Sequence, residues 1–209
     1  MEYRDLLVTV NRRCQGLHKV KDLKEFKHVF IDIVERHHRA FTQGKVLHRD
    51  ISEGNAMFYR DEEGAAVGLL GDFDNTSKVQ IPFMALDILT SAGPPIPHFY
   101  RHDLESFFPT LAGWNAKYSY EFESAMGKTS LFWLHQAVAK SILEIFQPPF
   151  DPMKDEWVRP LRALKGFRLA EDAEDSKRQA DFDGKTLGGV VMFESFMEAL
   201  GQKPRDWVL

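Results

Sequence analysis

Five polar residues between positions 48 and 72 have the types and the order that metal-assisted phosphoryl transfer requires: His48, Arg49, Asp50, Asn55 and Asp72. A carboxylate held on a loop, such as that of Asp50, can orient an incoming hydroxyl and accept its proton. Asn55 and Asp72 offer hard oxygen ligands, which Mg²⁺ prefers. A metal bound there neutralises charge on nucleotide phosphates, which is most of what a catalyst of this reaction supplies. The pattern therefore predicts a magnesium site beside a proton-accepting carboxylate.

The chain between Asn55 and Asp72 is predicted to form a β-hairpin. Residues 56–59 and 65–70 are the predicted strands, and the charged segment 60–64 is the turn between them. A hairpin returns the chain to its starting edge, so it brings Asn55 and Asp72 to the same end. The two predicted metal ligands are thereby placed together although they are far apart in sequence.

A long amphipathic helix is predicted before this hairpin, from residue 23 to residue 43. Asp22 is its expected N-cap, and Glu25 is the capping-box partner three residues later. Gly44 is the expected left-handed C-cap. The helix is predicted from apolar residues that recur at spacings of three and four: Leu23, Phe26, Val29, Phe30, Ile33 and Val34.

The rest of the chain predicts an α+β fold that is mainly α. Residues 6–10 form a predicted strand, and residues 11–20 are polar and irregular. From residue 86 onward the pattern favours helices joined by loops that contain Pro and Gly. Their apolar stripes lie at 104–111, 131–145, 161–167 (with Pro160 in the first turn) and 192–200.

Four motifs in this order resemble the fungal-type protein kinase family. Residues 48–57 read HRDISEGNAM, and residues 68–74 read GLLGDFD, in which the usual kinase Asp-Phe-Gly is replaced by Asp-aromatic-Asp. Residues 82–87, PFMALD, resemble the element that closes the activation segment, and residues 102–108 read HDLESFF. The resemblance runs from about residue 6 to residue 114 and fades beyond it.

The resemblance implies a kinase fold that uses ATP and Mg²⁺ to phosphorylate protein serine or threonine. Asp50 would be the base or orienting residue, Asn55 and Asp72 the ligands of Mg²⁺ and the nucleotide, and Asp74 a further carboxylate contact. Asp103 would accept backbone hydrogen bonds from the catalytic loop. The residues of structural support would be three: His48 packing under the metal aspartate, Arg49 pairing with a buried acid or a loop carbonyl, and Asp103.

The sequence also departs from that family pattern. Five residues precede strand 6–10, which leaves no room for the glycine loop, the strand lysine or its glutamate. Only ten positions separate Asp72 from Pro82, a short activation segment. Ser52 stands where serine/threonine kinases commonly carry a lysine, although the fungal-type family also has serine there. The expectation is a C-terminal lobe of helical bundle and catalytic hairpin, with the N-terminal lobe essentially absent and activity weak or lost.

The domain organisation that follows is one kinase-like domain over residues 1–209. Its hinge strand covers about 5–11, its catalytic and metal loops about 46–75, and its helical subdomain about 84–209. Because strand 6–10 would have no complete sheet beside it, we expect self-association through the exposed hinge-side surface.

Two other functions are open on these residues. Small-molecule phosphotransferases of the aminoglycoside or choline kinase type share the Gly54-Asn55 pair and a metal segment like residues 72–74. His-Arg-Asp at 48–50 and the HDLESFF helix favour the protein kinase instead. The second alternative is a pseudokinase-like binding module that keeps the motifs and has lost catalysis.

Composition narrows the partners and the compartment. The formal net charge is −4, which has the wrong sign for binding a phosphate backbone, so nucleic acid is not an expected partner. No apolar run approaches the ~20 residues that span a bilayer, so no membrane partner is expected. The single cysteine, Cys14, excludes an intrachain disulfide and favours a reducing cytoplasmic or nuclear setting. The expected partner is a protein substrate of unknown identity.

Overall fold

The structure is a computed structural model, and it describes residues 13–73, 85, 88, 96–115, 148–164 and 183–205. Several sequence predictions lie outside these residues: the strand at 6–10, Asp74, most of the motif at 82–87 and the stripe at 131–145. The described residues combine helices with a small antiparallel sheet, which confirms the predicted α+β class.

The strands are β1 (Gln15–Gly16), β2 (Ala56–Arg60) and β3 (Ala66–Leu70). The main helices are α1 (Leu23–Gly44), α2 (Tyr100–Asn115), α3 (Arg159–Ala163) and α4 (Phe193–Ala199). Shorter turns of 3₁₀ helix lie at Leu17–Lys19 and Pro148–Phe150, and a π-helical turn covers Lys154–Val158. Among the helices described, none combines the length and apolarity needed to span a membrane.

The N-terminus of α1 is capped as predicted, with one difference. The Asp22 carboxylate accepts a hydrogen bond of 2.8 Å from the backbone N–H of Glu25, which confirms Asp22 as N-cap. Glu25 reaches back to the N–H of Lys21 at 2.7 Å rather than to that of Asp22. The Arg60 guanidinium also binds both Glu25 oxygens, at 2.9 and 3.2 Å, so this carboxylate joins α1 to the end of β2.

The prediction of Gly44 as the left-handed C-cap of α1 is wrong by one residue. Gly44 is the last helical residue, and Lys45 adopts the left-handed conformation with φ 55°. The backbone N–H of Lys45 donates to the carbonyl of Phe41 at 3.0 Å, and its ammonium donates to the carbonyl of Thr42 at 2.9 Å. These bonds satisfy carbonyls at the helix end and offset the unfavourable conformation of a residue with a Cβ.

The predicted hairpin is present, with each strand within one residue of its expected bounds. Ala56 pairs with Leu70 and Arg60 pairs with Ala66 in an antiparallel register. The Asp61 side chain closes the turn by accepting hydrogen bonds from two backbone N–H groups downstream.

The prediction that residues 11–20 are irregular is wrong at five of them, since Gln15–Gly16 form a strand and Leu17–Lys19 form a 3₁₀ turn. Gln15 and Gly16 form strand β1, which pairs antiparallel with Phe58 and Met57 of β2. A strand of two residues has no alternation that a sequence could display. It forms here because β2 offers a free edge to the chain beside it.

Helix α1 packs across the hairpin with almost no space between the two backbones. At Gly68 of β3, a Cβ atom would lie 2.2 Å from the carbonyl oxygen of Val29 and 2.7 Å from the Cβ of Asp32. The Gly68 N–H donates to the Asp32 carboxylate at 3.0 Å. The core below this contact comprises the buried apolar residues of α1, the hairpin and the later helices, among them Phe26, Phe30, Phe58, Phe107, Trp157 and Phe196.

The later helices follow the predicted stripes, with one correction. The apolar residues of the α2 stripe are all buried: Leu104, Phe107, Phe108 and Leu111. In α4 the buried apolar residues are Phe193, Phe196 and Met197. The helix predicted at 161–167 begins earlier than expected, with the π-helical turn Lys154–Val158 ahead of α3, and it ends earlier, at Ala163, with Leu164 as its non-helical C-cap. Pro160 has no N–H and its ring crowds the carbonyl four residues before it, so a wider turn relieves the helix upstream. Phe167 lies outside the described residues.

Candidate active site

The end of the hairpin brings the predicted metal ligands to neighbouring positions. The ladder continues past the Ala56–Leu70 pair, because the N–H of Gly71 donates to the carbonyl of Asn55 at 2.9 Å. Asp72 is the next residue after Gly71. A side chain at Gly71 would meet the Met57 methyl at 2.5 Å, so glycine fits this crowded crossing. The structure therefore places Asn55 and Asp72 at one end of the sheet.

The Asn55 side chain links this hairpin end to Asp50. Its amide nitrogen Nδ2 donates to the backbone carbonyl of Asp50 at 2.8 Å and lies 3.3 Å from the Asp50 carboxylate. Because the nitrogen must face these acceptors, the oxygen Oδ1 lies on the other side of the amide. Oδ1 is the atom of this side chain that can bind a cation. The backbone N–H groups of Asn55 and Ala56 both donate to the Ser52 carbonyl, which fixes the loop.

His48 ties the catalytic loop to the predicted metal segment. Its Nε2 lies 2.7 Å from the carbonyl oxygen of Gly71, and its Nδ1 accepts a hydrogen bond of 3.3 Å from the N–H of Asp50. A carbonyl only accepts, so Nε2 carries the proton and the ring is neutral. Burial lowers the pKa of His48, and the Gly71 hydrogen bond opposes this only in part. The ring also contacts Phe73, with 4.6 Å between ring centroids.

Asp103 is the hub beneath the loop. Its carboxylate accepts the backbone N–H of His48 at 2.8 Å and that of Arg49 at 3.0 Å, which are the contacts that the sequence predicts for it. It also binds Nε2 of His37 at 2.9 Å and Nε2 of His98 at 2.8 Å. Burial alone raises the pKa of Asp103, but the two histidine hydrogen bonds outweigh it and hold that pKa well below its usual range.

Sequence reasoning missed His37 and His98 as partners of Asp103. His37 lies on α1 and is completely buried, with its ring stacked on Tyr100 at 5.1 Å between centroids. His98 precedes α2, five residues before Asp103. Nothing in the spacing of His37 identifies it, since its partner is 66 residues away. The sequence shows that His98 lies five residues before Asp103, but it does not show that the two side chains form a hydrogen bond.

Two residues of the site have backbones in the left-handed region although they carry side chains. Arg49 has φ 67° and Asp72 has φ 62°. Such a conformation costs roughly 1 kcal/mol or more and persists where neighbouring contacts impose it. The Arg49 side chain is exposed, and it is the backbone N–H that contacts a buried acid, Asp103, rather than the expected guanidinium. Asp72 follows Gly71, whose N–H and carbonyl are both hydrogen-bonded.

The described residues fit a magnesium ion that is shared with a nucleotide. No group of three or more His, Cys, Asp or Glu side chains in the described ranges could hold a metal by itself. Mg²⁺ is commonly bound by one or two protein oxygens, with substrate phosphates and waters as its other ligands. The Asn55 amide oxygen and the exposed Asp72 carboxylate are of that kind.

In the comparison with protein families, the model for fungal protein kinase matches residues 6–112. This is just over half of the chain. The chain belongs to the fungal protein kinase family. The matched region includes α1, the hairpin, most of α2 and all six residues of the predicted site, and it confirms the resemblance seen in the sequence motifs. No curated protein and no solved structure matches the chain.

Ser52 stands where serine/threonine kinases commonly carry a lysine, and the structure shows its surroundings. Ser52 is completely buried, and its carbonyl accepts the hydrogen bonds that shape the turn leading to Asn55. A small side chain fits this enclosed place, although the Ser52 Oγ is buried without a hydrogen-bond partner in the part of the chain that the structure describes.

Proposed function

We propose that this chain forms a protein-kinase-like C-terminal lobe whose reaction is transfer of the γ-phosphoryl group of ATP to a serine or threonine of a protein, with activity that is weak or lost in this chain. Asp50 orients the acceptor hydroxyl and takes its proton. Asn55 and Asp72 bind the Mg²⁺ ion that neutralises the phosphates. His48, Arg49 and Asp103 hold the loop in shape.

The observation that carries the proposal is the position of Asn55. One side chain reaches Asp50 through its amide nitrogen, while its backbone carbonyl is bonded to the residue before Asp72. A proton acceptor, an amide oxygen and a carboxylate are thereby connected within one loop-and-hairpin unit. Phosphoryl transfer needs these groups side by side, because the metal-bound phosphate and the attacking hydroxyl meet at one point.

The first experiment measures binding of ATP to the purified chain by calorimetry, with and without Mg²⁺. We expect binding that depends on Mg²⁺ and that falls at least about tenfold in Asp72→Asn, because an amide lacks the charge that attracts the ion. The control is Asp155→Asn, since the Asp155 side chain is 78% exposed and forms a surface ion pair with Arg159. Equal ATP affinity in the wild type and Asp72→Asn would contradict the assignment of the metal ligand.

The second experiment identifies the acceptor. Radiolabelled ATP is offered with casein, with aminoglycosides and with choline, and transfer is compared for the wild type and Asp50→Asn. Transfer to casein that is lost in Asp50→Asn supports the proposal. Transfer only to a small molecule supports the aminoglycoside- or choline-type alternative. Nucleotide binding without any transfer supports the non-catalytic alternative.

A further inference from the structure

A cavity of about 370 Å³ lies between the last turns of α1 and the end of β3. It borders the candidate active site at two lining residues, Phe73, whose ring contacts His48, and His37, which binds Asp103. Leu69, Leu70 and Phe73 form an apolar side of this cavity, and Arg36, Arg39 and Gln43 line it from the helix. Cavities of roughly 300–1,000 Å³ hold small organic molecules in proteins. The combination of an apolar side with cationic and amide groups favours a ligand that has both an apolar body and a polar head.

The charge of the cavity selects an anionic head. Two arginines line it, and no Asp or Glu is among its lining residues. The nearest acidic groups of α1, Asp32 and Glu35, are held by Arg205 on another contact. Both arginines also interact with other groups of the chain, so a ligand would share them. Guanidinium groups bind carboxylates with charge-assisted hydrogen bonds, often through two parallel N–H donors.

We propose that this cavity is a binding site for a small aromatic carboxylic acid. Its carboxylate would bind Arg36 and Arg39, and its ring system would pack on Leu69, Leu70 and Phe73. This site needs neither Mg²⁺ nor ATP, because none of the predicted metal ligands lines the cavity. It is therefore separate from the proposed metal site, although Phe73 directly follows Asp72 in the chain.

The test uses 1-naphthoate as probe, with its neutral amide, 1-naphthamide, as the matched compound. Binding to the full chain is measured by calorimetry in EDTA, so that no metal can hold the carboxylate. We expect saturable binding of one naphthoate and at least about tenfold weaker binding of the amide, which keeps the rings but loses the charge. Equal affinity for both compounds, or no binding of naphthoate, would overturn the proposal.

Variants then locate the probe. Arg39→Gln should weaken naphthoate binding about tenfold, whereas Lys24→Gln, an exposed cation on the same helix outside the cavity, should leave it unchanged. Ala40→Phe should occupy part of the cavity and weaken naphthoate binding at least about tenfold while both arginines remain. Binding that survives both Arg39→Gln and Ala40→Phe would place the probe elsewhere and refute the site.

Discussion

At the scale of single residues, the loop at 48–50 is held by one carboxylate rather than by its own conformation. Asp103 accepts hydrogen bonds from two backbone N–H groups of the loop and from two histidine rings, and it is completely buried. Arg49, in the middle of the loop, has the unfavourable φ of 67°. The loop keeps this strained backbone because the single Asp103 carboxylate accepts hydrogen bonds from all four donors.

Replacing the Asp103 side chain, although it is small, should therefore lower the free energy of unfolding strongly. We expect Asp103→Ala to lower the free energy of unfolding by about 3–5 kcal/mol, since it leaves several buried donors without their acceptor. Urea unfolding followed by circular dichroism measures this. Asp155→Ala, at an exposed position, should cost less than about 0.5 kcal/mol. A loss below 1 kcal/mol in Asp103→Ala would show that the donors find other partners.

Two histidines, the buried His48 and the half-buried His38, should make stability depend on pH in a defined direction. Burial lowers the pKa of both His48 and His38 in the folded chain. The unfolded chain therefore binds more protons below the ordinary histidine value of about 6.5. The contribution of these two neutral histidines to the free energy of unfolding is fully present above about pH 6.5. It is lost as the pH falls toward the lowered pKa values of the folded chain.

We expect the free energy of unfolding to fall between pH 7.5 and pH 5.5, by up to about 1.4 kcal/mol per pH unit for each such group. Urea titrations at 7.5, 6.5 and 5.5 measure the slope. The double variant His38→Gln/His48→Gln should show a flatter profile than the wild type. An unchanged slope in the double variant would assign the pH dependence to other groups.

At the scale of elements, the contact between α1 and β3 positions the hairpin. Gly68 allows the strand to lie directly against the backbone of Val29, and its N–H is bound by Asp32 of the helix. The residues after β3 carry the predicted metal ligand Asp72. The placement of Asp72 therefore depends on the packing of Gly68, four positions earlier in the chain.

Gly68→Ala should force the strand away from α1. The added methyl would meet backbone oxygen at 2.2 Å, which cannot move as a flexible side chain can. We expect a loss of about 1–3 kcal/mol in unfolding free energy, and weaker Mg²⁺-dependent ATP binding. Gly54→Ala is the matched control, because a Cβ there meets nothing within 4 Å. Similar stability of the two variants would contradict this packing argument.

At the scale of the whole molecule, Arg205 joins the segment after α4 to α1. Its guanidinium binds Asp32 at 2.5 Å and Glu35 at 2.6 Å, and its backbone N–H donates to Glu35 at 2.9 Å. Both carboxylates are buried. Asp32 also binds the N–H of Gly68, so a contact nearly at the end of the chain reaches the strand that leads to the active site.

Arg205→Gln should leave two buried carboxylates without their cation. We expect a loss of about 1–3 kcal/mol in unfolding free energy, less than for a fully buried pair because the Arg205 side chain is 39% exposed. Urea unfolding of the wild type and the variant, at low and at high salt, measures this loss of unfolding free energy. Arg159→Gln, in an exposed pair with Asp155, should cost less than about 0.5 kcal/mol. If both variants lost the same small amount of unfolding free energy, the contacts of Arg205 with Asp32 and Glu35 would contribute no more to stability than a surface ion pair.

Local patterns in the sequence were sufficient for α1, α2, α4 and the hairpin, and they named the candidate site residues. The spacing of apolar residues predicted α1, α2 and α4, and the turn at 60–64 predicted the hairpin, because periodicity and turn chemistry are properties of neighbouring residues. The ordered motifs predicted the family. Asn55 and Asp72 could be paired in advance, since a hairpin has a known geometry.

Only the tertiary structure decided which distant groups support that site. The pairing of Gln15 with Phe58, the binding of His37 to Asp103 and the clamp of Arg205 on α1 each join residues more than 40 positions apart. The left-handed C-cap moved from Gly44 to Lys45 because side-chain and backbone bonds there outweigh the preference for glycine. Such contacts depend on how whole elements pack, and a residue's type and local spacing do not encode which surface it will meet.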